Sequence, residues 1–306
     1  MNRIALIDGG ELLFRVAAGS EVRRWNIYIQ GEERDGYLSS HHYKDDADLW
    51  IKELDLQEDL VAVLDKYPVS ERLAKENLDI FIKTIIIKTE ADSVLVCFGS
   101  ADGSNFRNDI ATFKTYKDRP KDRPYHYYML KDHVQRNYPW YETQRPYEDD
   151  DILAILHNEI CKRETNIPII CSHDKDMLQV PGWHYHTDSQ ELFPISEVEG
   201  LYNFYKQLLS GDPVDTIPGL FQITGKKNSK KNLERLDYLV TKYGERDLDE
   251  IEEAMYSHVF NIYLDALGGK VKCREQSTDL DCILWEIGNL LYLRRSWDDE
   301  GWKVPT

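Results

Sequence analysis

The chain has 306 residues, with 55 acidic against 38 basic side chains and a formal net charge of −17. That length suffices for one large domain or two, and no apolar run reaches membrane length. The acidic balance disfavours nucleic-acid binding unless many acids surround bound cations, which reverse the local sign.

Residues 3–8 read as a short buried strand ending in Asp8, followed by Gly9-Gly10. An acid at the carboxyl end of such a strand lies where α/β sheets place ligands, and a turn-forming Asp-Gly fits equally well. Residues 12–18 read as a helix carrying Arg15. Residues 24–47 are polar and read as an irregular surface excursion with a hairpin around Gly31. A helix is expected over 70–88 and a second buried strand over 93–98. Between 113 and 125, basic residues interleave with aromatics, which suits a phosphate backbone with stacked bases or an exposed charged loop. The five cysteines (Cys97, Cys161, Cys171, Cys273, Cys282) lack CxxC or framework spacing and read as reduced, buried thiols.

Glu148-Asp149-Asp150-Asp151 then opens a helix whose Ile152, Ile155, Leu156 and Ile160 recur at helical spacing. Pro146 suits its start, and the helix dipole favours anions in the first turn. Glu148 and Asp151 continue the apolar face, and carboxylates aimed inward need protons, partners or metal. A third strand over 167–172 ends in His173-Asp174-Lys175-Asp176. Strands alternating with helices predict an α/β fold with a mostly parallel central sheet, whose carboxyl ends gather these acids at one edge. From Leu201 the pattern turns to helices without strands. A turn at 211–219 precedes Gly225-Lys226-Lys227-Asn228-Ser229-Lys230-Lys231, a lysine-loaded helix start suited to phosphate. Further helices are expected over 248–266 and 278–293.

Six motifs in this order resemble the flap-endonuclease superfamily, specifically the bacteriophage 5′→3′ exonucleases. They are Ile7-Asp8-Gly9, Asp102 before Phe106-Arg107, and Tyr116-Lys117 with Arg119. The other three are Glu148 to Asp151 (Glu-x-Asp-Asp), Ser172 to Asp176 (Ser-x-Asp-Lys-Asp) and Gly211 to Gly219 (Gly-Asp-x-x-Asp-x-Ile-Pro-Gly). The likeness covers most of the chain and is weakest over 20–70 and 235–306. It implies a PIN-like 5′-nuclease domain over 1–199 and, over 200–306, a helical DNA-binding region with a helix-hairpin-helix-like motif.

The resemblance also implies two Mg²⁺ ions, with Mn²⁺ as a substitute. Asp8, Asp102, Glu148 and Asp150 would hold one, and Asp151, Asp174, Asp176 and Asp215 the other. Of Ser100 and Asp102, only Asp102 brings the charge a hard dication needs, although it also suits an Asp102-Gly103 turn. Lys117 and Arg107 would stabilise charge on the scissile phosphate, and Tyr116 would stack on a base. Arg15, Arg119, Gly219, Gly225, Lys226 and Lys227 would contact DNA, with K⁺ at the hairpin. The implied activity is exonucleolytic or flap cleavage of duplex or flapped DNA from a 5′ end, extending to RNA–DNA hybrids. Its setting would be phage replication or host DNA breakdown in the cytoplasm of a bacterial host, alongside replication proteins and with no membrane partner.

The chain departs from the family at Asp149, where a small residue is usual, at Gln222, near a usual hairpin glycine, and at Arg119, one residue closer to Lys117. A non-catalytic junction-binding protein of this fold would have lost ligands. A different phosphoryl-transfer enzyme would not need the 113–125 stretch or the lysine-rich helix start.

Overall fold

A computed structural model describes residues 1–31, 37–54, 59–117, 122–243, 247–268 and 280–305. In chain order the elements begin β1 (Asn2–Asp8), α1 (Gly9–Gly19), β2 (Glu21–Ile29), β3 (Ser39–His41), α2 (Lys44–Lys52) and β4 (Leu60–Pro68). There follow α3 (Glu71–Thr89), β5 (Ser93–Ser100), α4 (Arg107–Ile110), α5 (Tyr127–Asn137), β6 (Trp140–Thr143), α6 (Asp149–Cys161) and β7 (Asn166–Ser172). A 3-10 helix (Lys175–Gln179) leads to β8 (Gly182–His186) and β9 (Glu191–Ile195). The chain then turns helical: α7 (Glu197–Ser210), α8 (Leu220–Thr224), α9 (Lys230–Tyr243), α10 (Leu248–Ala266) and α11 (Leu280–Leu291). Among the described residues no helix is long and apolar enough to cross a membrane.

Two compact units make up the chain. The first comprises Met1–Gly10, Lys83–Lys121 and Tyr138–Thr306. Its sheet has the order β6-β5-β1-β7-β8-β9, parallel throughout except for β9. This is the mostly parallel α/β sheet that the strand–helix alternation predicts. Ala5, Leu6 and Ile7 are sealed from water, as a central strand covered on both faces requires. Leu6 pairs in register with Leu95 on one side and Ile170 on the other. The carboxyl ends of β1, β5 and β7 therefore lie side by side. Helix α6 buries Ile152, Leu153 and Ala154 together with Leu6, Cys97 and Ile170.

Residues 200–306 stay in the first unit, where Phe204, Tyr205, Leu208, Met255, Leu284, Ile287 and Trp302 share a second core. Arg107 and Gln179 bond to the carbonyls of Leu290 and Leu291, which ties that core to the sheet side. The β8–β9 hairpin was not expected. Its short strands close through a turn in which Gln190 N donates to His186 O.

The second unit comprises Glu11–Ile82 and Asp122–Asn137. Here the expected irregular excursion is instead an antiparallel sheet of order β3-β2-β4. Polarity concealed β2: only its Asn26, Ile27 and Tyr28 are buried, yet it pairs with β4 from Glu21↔Pro68 to Ile29↔Leu60. Buried Asn26 donates to Asp65 and Tyr67, both at 2.6 Å, so a polar residue in this sheet is fully used as a donor. Gly31, with φ of +87°, follows β2 as a turn residue, and part of the connection to β3 lies outside the described residues.

Candidate active site

The parallel sheet delivers acids to one edge. Asp8 ends β1, is almost fully buried and accepts a 3.4 Å hydrogen bond from Ser172 Oγ at the end of β7. Asp150 lies in the first turn of α6, Asp174 follows β7, and Asp176 sits in the 3-10 helix. These carboxylates feel one another. Burial, then Asp174 and Asp8, push the Asp150 carboxyl well above its ordinary range. Burial, Asp174 and Asp212 raise Asp176 to about 7. Asp174 caps the 3-10 helix by accepting from Asp176 N at 2.9 Å, which fixes the pair.

Lys117 stands among these acids. Its Nζ lies 2.5 Å from Glu148 Oε1 and 3.2 Å from Asp215 Oδ2. Burial opposes its charge, but Glu148, Asp215 and Asp150 outweigh burial and the ammonium titrates above its ordinary value. Burial likewise opposes the Glu148 charge, yet Lys117 and Arg107 hold that carboxyl down at about 2. Lys117 has φ of +49°, in the left-handed region that costs a non-glycine residue energy, and its N–H donates to Asp215 O at 3.2 Å. Tyr116 is expected to stack on a base, but its ring is buried in the helical core. Its hydroxyl instead lies 2.6 Å from Glu148 Oε2 and 3.2 Å from Asp215 Oδ2 as a donor to both carboxylates.

Arg107 is placed differently from the phosphate contact that the resemblance implies. Its side chain is 2 % exposed, and Asp151 opposite it is 0 % exposed. Nη1 donates to Asp151 Oδ2 at 2.6 Å and to Glu148 Oε2 at 3.3 Å; Nη2 donates to Asp151 Oδ1 at 3.0 Å and to Tyr292 O at 2.9 Å. Nε donates to Leu290 O at 2.9 Å. Five N–H groups therefore meet five acceptor contacts, which leaves none for a substrate. Asp151, expected as a metal ligand, also accepts from Arg294 N at 3.1 Å and from Glu148 N at 3.2 Å. The inward-facing carboxylate has a partner, and the partner is an arginine.

Asp102 is held within its own turn. It is exposed and accepts from Ser100 Oγ at 2.6 Å and Ser104 N at 2.8 Å, which lower its carboxyl to about 2. With Gly103 at φ of +75°, this is a closed turn, the alternative that the Asp-Gly pair allows. Arg15 lies in the second unit, 3.9 Å from Glu11, and Arg119 lies outside the described residues.

Two acids join the edge that sequence reasoning left without a role. Asp149 accepts from Gly99 N, and a Cβ at Gly10 would meet Asp149 Oδ2 at 2.0 Å and Asp8 Oδ1 at 3.6 Å. Gly10 therefore lets both carboxylates share one corner; the extra charge of Asp149 within the family motif was the signal. Asp212 is 3 % exposed, pairs with Lys175 at 3.0 Å and accepts from Val214 N at 2.8 Å. It shapes the turn that presents Asp215. Gly211, at φ of +66°, and Gly219 press backbone to backbone, with a Cβ on Gly211 only 2.3 Å from Gly219 N.

Beyond this turn, Gly219 N donates to Gln222 Oε1 at 3.0 Å, so Gln222 caps α8. Gly225 closes α8 at φ of +73°, and Lys226, Lys227, Lys230 and Lys231 are exposed just beyond. Among the described residues no three acidic, histidine or cysteine side chains already converge at coordination distances. Lys117 draws Glu148 and Asp215 to itself and Lys175 draws Asp212, which spreads the carboxylates.

The sequence matches no protein-family model, and no curated protein matches it. Several solved structures are similar in shape over nearly the whole chain. A phage T5 protein co-crystallised with metal ions gives a TM-score of 0.47 at 11 % identity, covering 95 % of this chain and 96 % of that one. A phage T5 flap endonuclease in a pseudo-enzyme–product complex with DNA and metal ions gives 0.45 at 12 %, covering 95 % and 99 %. The T5 5′-exonuclease with bound zinc gives 0.44 at 13 %, covering 95 % and 100 %.

Removing the buried guanidinium strands Asp151 without its counter-charge. Arg107→Met is expected to cost about 3–5 kcal/mol in urea unfolding, with Arg107→Met/Asp151→Leu recovering much of the loss. A loss below about 1 kcal/mol in the single variant would contradict a buried, fully satisfied pair. At Asp176 the sign is opposite. Its folded value, raised from 3.8 to about 7, means that protonation stabilises the fold at low pH and that this contribution is lost as pH rises through about 7. In excess chelator, Asp176→Asn should melt above the parent at pH 8 and by a shrinking margin toward pH 5. A margin independent of pH would remove Asp176 from the repelling set.

Proposed function

We propose that the chain is a divalent-metal-dependent nuclease that hydrolyses phosphodiester bonds of DNA from 5′ ends, as a 5′→3′ exonuclease or flap endonuclease. The observation that carries this reading is the convergence of Asp8, Asp150, Asp174 and Asp176 at the carboxyl edge of a parallel sheet, with Lys117 among them. Asp150 and Asp176, whose carboxyls are raised by burial and by their acidic neighbours, call for a cation, and a set made only of carboxylate oxygens fits a hard one such as Mg²⁺ or Mn²⁺. Bound there, such an ion supplies Lewis acidity toward a phosphate and lowers the pKa of water.

Asp8, Asp150, Asp174 and Asp176 are the residues that would hold it, with Glu148, Asp149 and Asp215 at the border. Lys117 stays protonated between Glu148 and Asp215 and is the cation this edge offers to a phosphate. Arg107 contributes by holding Glu148 and Asp151 in register, not by touching substrate. The exposed lysines after Gly225 suit a duplex backbone, with K⁺ in the α8–α9 turn as part of the same reading. The order of the six motifs supports action from a 5′ end, and an RNA–DNA hybrid would present the same backbone. Replication or breakdown of DNA in a phage-infected cell is the setting this reading favours.

The test is digestion of duplex and flap substrates labelled at either end, with Mg²⁺ and with excess chelator. Short products should come first from the 5′ end and only with metal. Lys117→Ala should cut on the order of 10²-fold more slowly under single-turnover conditions while still binding duplex. Release from the 3′ end first, or undiminished cutting in chelator, would overturn the reading.

A further inference from the structure

Asp176 reaches the acidic edge from a 3-10 helix of five residues, and what fixes its carboxylate comes from α7 behind it. Gln207 on α7, 7 % exposed, donates its Nε2–H to Asp176 Oδ1. The Gln207 Oε1 accepts from Gln179 Nε2 at 2.6 Å, and the same Gln179 nitrogen donates to Leu291 O at 3.0 Å. A backbone carbonyl can only accept, so the Leu291 contact fixes which end of the Gln179 amide is nitrogen. Gln179 then requires the oxygen of Gln207 to face it, which turns the Gln207 nitrogen toward Asp176. The chain of bonds has one polarity and ends by giving an N–H to a carboxylate. Arg295 Nη2 donates to Gln179 O at 2.7 Å and steadies the same residue through its backbone.

A donor aimed at Asp176 favours its ionised, acceptor-only form and ties one of its two oxygens in place. That is a poor arrangement for stability alone, because it holds a negative charge beside Asp174 and Asp212. It is a good one for meeting a cation. We propose that Gln207 is a positioning residue for divalent-cation binding at this edge, with Gln179 setting its direction; this rests on the metal-dependent reading above. Outer hydrogen bonds of this kind are worth about 10- to 100-fold in metal affinity. Asn203 provides the contrast. It lies one turn away on α7 and donates to Leu178 O of the same 3-10 helix at 3.0 Å, so it supports that segment through backbone alone.

The test is titration of the full chain with Mn²⁺ alone, without nucleic acid, read by calorimetry and by the rise in melting temperature. Gln207→Met should bind Mn²⁺ about 10- to 100-fold more weakly than the parent. Asn203→Ala should keep the parent's affinity even where its melting temperature in chelator falls as far. Should Gln207→Met fail to fold, Gln207→Asn, whose amide is one methylene short, must show the same loss. Parent-like affinity in the Gln207 variant that folds, or an equal loss in Asn203→Ala, overturns the positioning role alone. A parent that binds no Mn²⁺ overturns the metal-dependent reading, and the positioning role with it.

Discussion

Arg107 is a guanidinium almost wholly removed from water, held by Asp151, Glu148 and the carbonyls of Leu290 and Tyr292. Burying such a charge is costly unless every donor is matched, and here every donor is. The pair ties the first turn of α6 to the segment after α11, and Arg294 N closes on Asp151 from the same segment. The carboxylates of that turn are thereby placed relative to the sheet edge by contacts deep in the core. An acid-bearing helix start on the surface would fray; this one cannot move without breaking the pair.

The four consecutive acids of the motif are sorted by that anchoring. Glu148 turns to Lys117 and Tyr116, Asp149 to the Gly99 N–H, and Asp151 to Arg107. Asp150 has other carboxylates, Asp174 and Asp8, as its largest charged influences. Two of the four charges thus meet a counter-charge within the protein, Asp149 meets a backbone N–H, and Asp150 is set among like charges where a cation would be attracted. The same division recurs across the site, where Asp212 pairs with Lys175 while Asp176 faces Asp174. Charge is concentrated at this edge by design of the hydrogen bonds around it, so the overall charge of −17 says little about what the edge binds.

Much of this was legible in the sequence because it rests on short-range pattern. The runs ending at Asp8 and Ser172 are apolar on both faces, and α6 shows its buried stripe at Ile152 and Ile155. Parallel order then carries Asp8, Asp150, Asp174 and Asp176 to one edge. What stayed hidden depends on distance or on turn chemistry. The carbonyl acceptors of Arg107 lie 183 and 185 residues further along, beyond the reach of any local motif. Asp102 was ambiguous between ligand and turn, and the hydroxyl of Ser100 with the N–H of Ser104 forms the turn. Strand β2 was missed because cross-strand pairing, and not an apolar run, defines it, and its partner β4 was missed although Leu60 to Leu64 form an apolar run.

The proposed function requires the carboxyl edge of the sheet to be a divalent-cation site built from Asp8, Asp150, Asp174 and Asp176. Anomalous diffraction from crystals of the protein soaked in Mn²⁺ measures this directly. Strong Mn²⁺ density is expected within coordination distance of carboxylate oxygens from at least three of these four residues, with Arg107 and Asp151 still paired. Density confined to other acidic surfaces, or none at this edge at millimolar Mn²⁺, would contradict it.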